Sequence, residues 1–146
     1  MLNANLWHFG ILTSAMHMAW LRHIGGKLKS DYQYGIGTVY NTFPWLEASK
    51  KEKDKICQLA QKILDTRDKY SGETLADLYD PNLMKADLRK AHQNLDQAVD
   101  KLYGSTFKSD RDRVEHLFKL YEQLISPLLA TSTQQKKGRG TKKKLQ

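Results

Sequence analysis

Between Ser49 and Ser126 the apolar residues fall at three- and four-residue spacing in three separate runs, and this repetition constrains the fold more than any other feature. The first run is Ile56, Leu59, Ala60, Ile63 and Leu64. It is introduced by Ser49-Lys50-Lys51-Glu52, in which Ser49 and Glu52 can satisfy each other's backbone donors as a capping box. A loop at Ser71-Gly72 follows, then a short turn around Leu75, Leu78 and Tyr79, halted by Asp80-Pro81. The second run, from about Leu83 to Tyr103, aligns Leu88, Ala91, Leu95, Ala98, Val99 and Leu102, with Gly104 placed to cap it. The third begins near Ser109 with Val114, Leu117, Phe118, Tyr121, Leu124 and Ile125, and is expected to end before Pro127. Three such stripes can bury one another, so a helical bundle of about three helices is expected over residues 48–130.

The first 47 residues have a different character. From Thr13 to Ile24, Met16, Ala19, Trp20 and Ile24 share one helical face, with Ser14 as a candidate cap and Gly25-Gly26 as a stop. Tyr32, Tyr34 and Ile36, then Thr38, Val39 and Tyr40, read as short extended pieces with a turn between them, Gly35 and Gly37 being interspersed. Pro44 biases Phe43 away from helical angles and closes the segment. The fold class expected is therefore mainly α, with a small α+β remnant ahead of the bundle. Residues 131–146 have no apolar period and are rich in Gln, Gly, Thr and Lys, so a disordered basic tail is expected there.

A formal charge of +8 suggests nucleic acid as a partner, and its distribution qualifies that suggestion. Lys and Arg against Asp and Glu number 3 to 2 over residues 1–47, 15 to 14 over 48–131, and 6 to 0 over 132–146. The excess thus sits in Lys136, Lys137, Arg139, Lys142, Lys143 and Lys144, which attract any polyanion without sequence preference. A single cysteine, Cys57, excludes an internal disulfide framework and suits a reducing compartment. The N-terminal apolar stretch is interrupted by Asn3, Asn5 and His8 and has no cation before Arg22, unlike a leader peptide. No run approaches the ~20 apolar residues of a membrane span, so a cytoplasmic protein with no membrane partner is expected.

The residues name no catalytic centre. There is no P-loop, GxSxG, HExxH or dinucleotide fingerprint, and neither an Asn-Pro-Pro-aromatic motif nor a glycine loop for a methyl donor. His17 and His23 lie six apart, off the i, i+4 spacing of a metal pair, which favours structural or exposed roles. His92 and His116 sit among charges and read as partly exposed side chains. Asp65, Asp68, Asp96, Asp100, Asp110 and Asp112 alternate with Lys and Arg, the pattern of a solvated helix face. Met16, Met18, Trp20 and Trp45 are core candidates. The stretch Lys27 to Tyr34 is the better contact candidate. Lys27, Lys29 and Ser30 suit phosphates, Gln33 can bond an adenine edge, and Tyr32 and Tyr34 add hydroxyl aromatics. Alternatively, both tyrosines pack under the preceding helix.

Several runs resemble a known family. Ile11-Leu12-Thr13-Ser14-Ala15-Met16-His17-Met18-Ala19-Trp20, Gly26-Lys27-Leu28-Lys29-Ser30-Asp31-Tyr32 and Val39-Tyr40-Asn41-Thr42-Phe43-Pro44-Trp45 resemble the end of the target-recognition domain of MmeI-like type IIG restriction-modification enzymes. Leu75-Ala76-Asp77-Leu78-Tyr79-Asp80-Pro81-Asn82-Leu83-Met84, Leu88-Arg89-Lys90-Ala91-His92-Gln93, Leu95-Asp96, Val99-Asp100 and Asp112-Arg113-Val114-Glu115 are similar to that family's C-terminal helical domain. The resemblance implies a parent that joins a nuclease, an adenine methyltransferase using S-adenosylmethionine, a recognition domain and this helical end. It also implies double-stranded DNA and the parent's remaining domains as partners. The chain would start too late to hold the nuclease or the methyltransferase, as a truncated gene or an excised piece would. On this reading it carries no catalytic residue, cofactor or metal of its own. It either positions DNA through Lys27 to Tyr34 or serves as a helical scaffold without direct DNA contact. Residues 48–126 are then expected to fold alone, with 1–47 poorly ordered or docked on the helices.

Overall fold

The computed structural model describes residues 4–28 and 31–138. The chain is mainly α, as its stripes require. Helix α1 spans Leu6–Thr13 and α2 spans Ala15–Ile24. A hairpin follows, made of β1 (Gly26–Leu28) and β2 (Asp31–Gln33), and then a π-helical turn at Ile36–Tyr40. The long helices are α3 (Lys50–Asp68), α5 (Ala86–Leu102) and α6 (Asp110–Gly138), with the single turn α4 (Leu75–Leu78) between the first two.

α3 and α6 start where a serine supplies a cap, Ser49 and Ser109, whereas Lys85 ahead of α5 makes no side-chain cap bond. The Ser49 hydroxyl accepts the Glu52 N–H at 3.3 Å while the Glu52 carboxylate accepts the Ser49 N–H at 2.8 Å, which draws that carboxyl below its ordinary pKa. Gly104 follows α5 with φ of +97°, a left-handed conformation that a Cβ would strain.

The three stripes do not close on one another alone. α3 packs on α5 and on α1, whereas the main partner of α6 is α2. α1 and α2 therefore complete the bundle, and one core runs through Trp7, Ile11, Met16, Trp20, Phe43, Ile56, Ile63, Leu88, Leu95, Val99 and Leu117. Trp20 lies at the junction, 1% exposed, its ring 5.1 Å from Phe118 and 6.5 Å from Phe43. α1, α2 and the stretch from Val39 to Trp45 dock on the helices, and poor ordering there is not what their buried aromatics permit. Met16 and Trp20 are buried, with Met18 and Trp45 packed partly buried against them.

Four expectations need correction. α1 falls in a stretch that the sequence left without an element, because it is apolar all round and shows no stripe. Its signal was the cap: the Asn5 side-chain Oδ1 accepts the Trp7 and His8 N–H groups at 3.0 and 3.4 Å. Ile36–Tyr40 coils instead of extending, since Val39 and Phe43, four residues apart, are both buried in the core, at 0% and 3% exposure. That burial outweighs the β preference of Ile, Thr, Val and Tyr.

Third, α6 continues through Pro127 to Gly138, so it neither ends before the proline nor gives way to disorder at 131. Proline removes one donor, and the Leu, Ala, Gln and Lys residues that follow are strong helix formers. Residues 139–146 lie outside those described. Fourth, Asp96, Asp100 and Asp110 are not merely i, i+4 partners on a wet face. Asp100 is buried and holds Arg113 through two bonds of 3.0 and 2.7 Å, tying α5 to α6, with Asp110 3.4 Å from the same guanidinium. Asp96 accepts the Ala15 N–H at 2.8 Å, capping α2 from α5.

Candidate nucleic-acid interface

The region from α2 to Trp45 is built outward from a fixed helix. Ser14 and Asp96 both accept from the N-terminus of α2, through the N–H groups of His17 and Ala15. At the other end the Gly25 N–H bonds the Leu21 carbonyl at 2.8 Å, and a Cβ on Gly25 would come within 2.5 Å of that oxygen, so glycine is required for the exit. The chain then turns back on itself in the hairpin, with Gly26 opposite Gln33, Lys27 opposite Tyr32 and Leu28 opposite Asp31. Its return limb is fastened by the π-helical turn and an aromatic cluster. Thr42 bonds the Thr38 carbonyl and accepts the Trp20 indole N–H at 3.2 Å, while the Tyr103 hydroxyl donates to the Pro44 carbonyl at 2.9 Å.

His17 sits beneath Tyr34 and Phe43. It is 1% exposed, edge-on to Phe43 at 4.5 Å, and its Nε2 lies 3.0 Å from the Tyr34 hydroxyl. Burial lowers its pKa from 6.5 to about 4, so the ring is neutral at physiological pH. Its Nδ1 is buried with no hydrogen-bond partner among the described residues. Burial and the neighbouring Tyr40 push the Tyr34 phenol above its ordinary pKa, so it keeps its proton.

Of the contact candidates, Lys27 and Tyr32 face each other in the strand register, and Lys29 and Ser30 lie outside the described residues. Gln33 is exposed, and Tyr34 is 45% exposed with its hydroxyl at His17, between the solvent-facing and helix-packed alternatives. Sequence reasoning missed Ile36, 70% exposed beside them, and the anchoring place of His17, which depends on Phe43 and Trp45 far along the chain. The other histidines are half-buried or more exposed. His92 lies 2.7 Å from the Tyr79 hydroxyl, which also accepts from Arg67 Nε at 2.7 Å; His23 packs on Phe118 and His116 on Phe107.

A groove of about 660 Å³ between α3 and α5 has an apolar floor of Ile56, Leu59, Ala98 and Leu102 under Lys51, Lys55 and Lys101. It offers no glycine loop, and its one carboxylate, Glu52, is engaged by Ser49, so it does not fit S-adenosylmethionine. Among the described residues no group of three metal-ligating side chains is gathered, and no helix is long and apolar enough to cross a membrane.

Residues 48–129 match the family model described as the MmeI C-terminal domain, and residues 1–47 the model described as the MmeI target recognition domain. The chain belongs to the MmeI family. DNA methyltransferase A of Bacillus subtilis (strain 168) is 43% identical over 123 residues, which are 84% of this chain and 14% of that protein. The solved structure of the type IIL restriction-modification enzyme MmeI in complex with DNA superposes with a TM-score of 0.82 at 43% identity, over 85% of this chain and 17% of that one. The chain thus spans about one sixth or less of each of these MmeI-family relatives.

Proposed function

We propose that this chain is the DNA-positioning part of a restriction-modification DNA methyltransferase, with catalysis carried by residues outside it. The observation that carries the reading is the run of exposed side chains Gln33, Tyr34 and Ile36 at the end of the β1–β2 hairpin, within the segment that matches a target recognition domain. The relative of known structure is an enzyme in complex with DNA, which supports duplex DNA as the partner. Lys27, Lys29, Ser30, Tyr32, Gln33 and Tyr34 are the contact residues on this reading, cations and hydroxyls to phosphates and the amide to a base edge. S-adenosylmethionine, the parent's other domains and a cytoplasmic setting belong to the same reading, with no residue of this chain assigned to the methyl donor.

Duplex binding followed by fluorescence anisotropy tests it. The six tail cations from Lys136 to Lys144 are first replaced by Gln to remove their non-specific attraction. Residual salt-dependent binding that falls when Lys27 and Gln33 are replaced by Ala is the expected result. Loss of all binding on tail neutralisation refutes the reading.

A second reading, a scaffold that packs on the parent without touching DNA, is favoured by the α3–α5 groove. An apolar floor beneath a lysine rim suits an acidic amphipathic helix better than a phosphodiester backbone.

A further inference from the structure

The His17–Tyr34 pair has an asymmetry that decides where a proton points. Nε2 of His17 meets the Tyr34 hydroxyl at 3.0 Å, while Nδ1 is buried and unpartnered among the described residues. A neutral imidazole carries one N–H and one lone pair. Were the proton on Nδ1, a buried donor would be orphaned, which native structures avoid more strictly than an under-used acceptor. With the proton on Nε2, only a lone pair is left unused. Nε2–H then donates to the Tyr34 oxygen, and the phenolic proton must point away from His17. That direction is open: Tyr34 is 45% exposed, and its hydroxyl makes no second hydrogen bond among the described residues.

We propose that His17 is a positioning residue that fixes Tyr34 as an outward-facing hydrogen-bond donor to a DNA phosphate oxygen. The inference rests on the DNA-positioning reading above and deepens it. His17 itself touches no nucleic acid, being 1% exposed behind Tyr34 and Phe43. A phosphate fits better than a base edge because a lone hydroxyl reads no sequence, and tyrosine is a common phosphate partner. Tyr34 directly follows β2 and lies between the exposed side chains of Gln33 and Ile36, so a phosphate reaching this stretch meets the hydroxyl. An isolated donor of this kind, already oriented, loses no further rotamer freedom when the phosphate arrives.

Two measurements test this. Long-range nitrogen–proton NMR of the imidazole ring reads the tautomer directly; Nε2–H is expected for His17, and Nδ1–H overturns the proposal. The second is anisotropy with a labelled duplex of randomised sequence and the tail-neutralised chain. Tyr34→Phe, which keeps the ring, is expected to weaken binding by about tenfold, the value of one hydrogen bond to a charged group. His17→Phe, which keeps the aromatic packing, is expected to weaken it by several-fold. His17→Gln, whose amide can still donate to Tyr34, should restore most of the affinity. The double variant His17→Phe/Tyr34→Phe should bind no more weakly than Tyr34→Phe, because His17 acts through the hydroxyl; a merely structural histidine would give additive losses. Absence of duplex binding by the tail-neutralised parent chain refutes the DNA-positioning reading and this contact together. Binding that survives Tyr34→Phe unchanged refutes the contact alone.

Discussion

Replacing Gly10 by alanine places a methyl group where α1 crosses α3. An ideal Cβ there would sit 2.7 Å from the Ile56 Cγ2 methyl, 3.5 Å from the Ala60 Cβ and 3.6 Å from the Ile56 carbonyl oxygen. Carbon atoms in good contact are roughly 3.5–4.0 Å apart, so about 1 Å of separation is missing. Ile56 cannot easily supply it. It is 2% exposed in the core, and a β-branched side chain in a helix is held to one rotamer. The two helices must part, and overpacking of this kind costs about 1–3 kcal/mol. Against that stands the better helix propensity of alanine in the middle of α1, about 1 kcal/mol.

The net expectation for Gly10→Ala is a loss of up to about 2 kcal/mol, read as a lower urea midpoint with unchanged slope by far-ultraviolet circular dichroism. Gly72→Ala, where nothing lies within 4 Å, is the control and should change stability little. Ile56→Ala costs about 2–5 kcal/mol alone, and combined with Gly10→Ala should cost less than the sum, since the obstructing methyl is gone. A gain of about 1 kcal/mol for Gly10→Ala, the effect at an uncovered helix position, would show that α1 does not lie against α3.

Two further outcomes follow from buried polar groups. Arg113→Met leaves Asp100 buried without its cation and should cost about 3–5 kcal/mol, and adding Asp100→Leu should recover much of that loss; equal melting temperatures for wild type and Arg113→Met would refute the pairing. The His17 pKa, about 4 folded against 6.5 for the free side chain, means that the unfolded chain binds a proton which the folded chain refuses between those values. Stability from this group is complete above about pH 6.5 and falls by up to about 3 kcal/mol as pH drops towards 4. His92, also lowered by burial, acts in the same direction, and Asp96, raised by burial, in the opposite one, so the informative quantity is the difference between wild type and His17→Gln. Identical pH dependence of unfolding in the two would refute the buried neutral ring.

What was legible in the sequence was local. Ser14 and Gly25 bracketing α2, the Ser49–Glu52 box opening α3 and Gly104 after α5 act within a turn of their own position, so a short window contains their cause. The stripe of α3 reads directly as the buried face Ile56, Ala60 and Ile63. The rest depended on partners distant in the chain. Ile36–Tyr40 looks extended by residue type and coils because Val39 and Phe43 reach one core together. Asp96 looks like a surface acid until Ala15 is placed against it, 81 residues earlier. His17 offered no spacing signal, since its surroundings come from Tyr34, Phe43 and Trp45 on the return limb of the hairpin.

The seam between the two matched segments, at residues 47 and 48, falls in the irregular stretch ahead of α3, yet the segments on either side of it share a single interior. Gly10 is moulded to Ile56, and Trp20 to Phe118. Exchanging the segment that matches the target recognition domain between relatives at this seam would therefore graft one half of a lock onto another's key. Chimeras should succeed when the donor brings α1, α2 and the faces of α3 and α6 that cover them, and should misfold when the splice respects sequence boundaries alone.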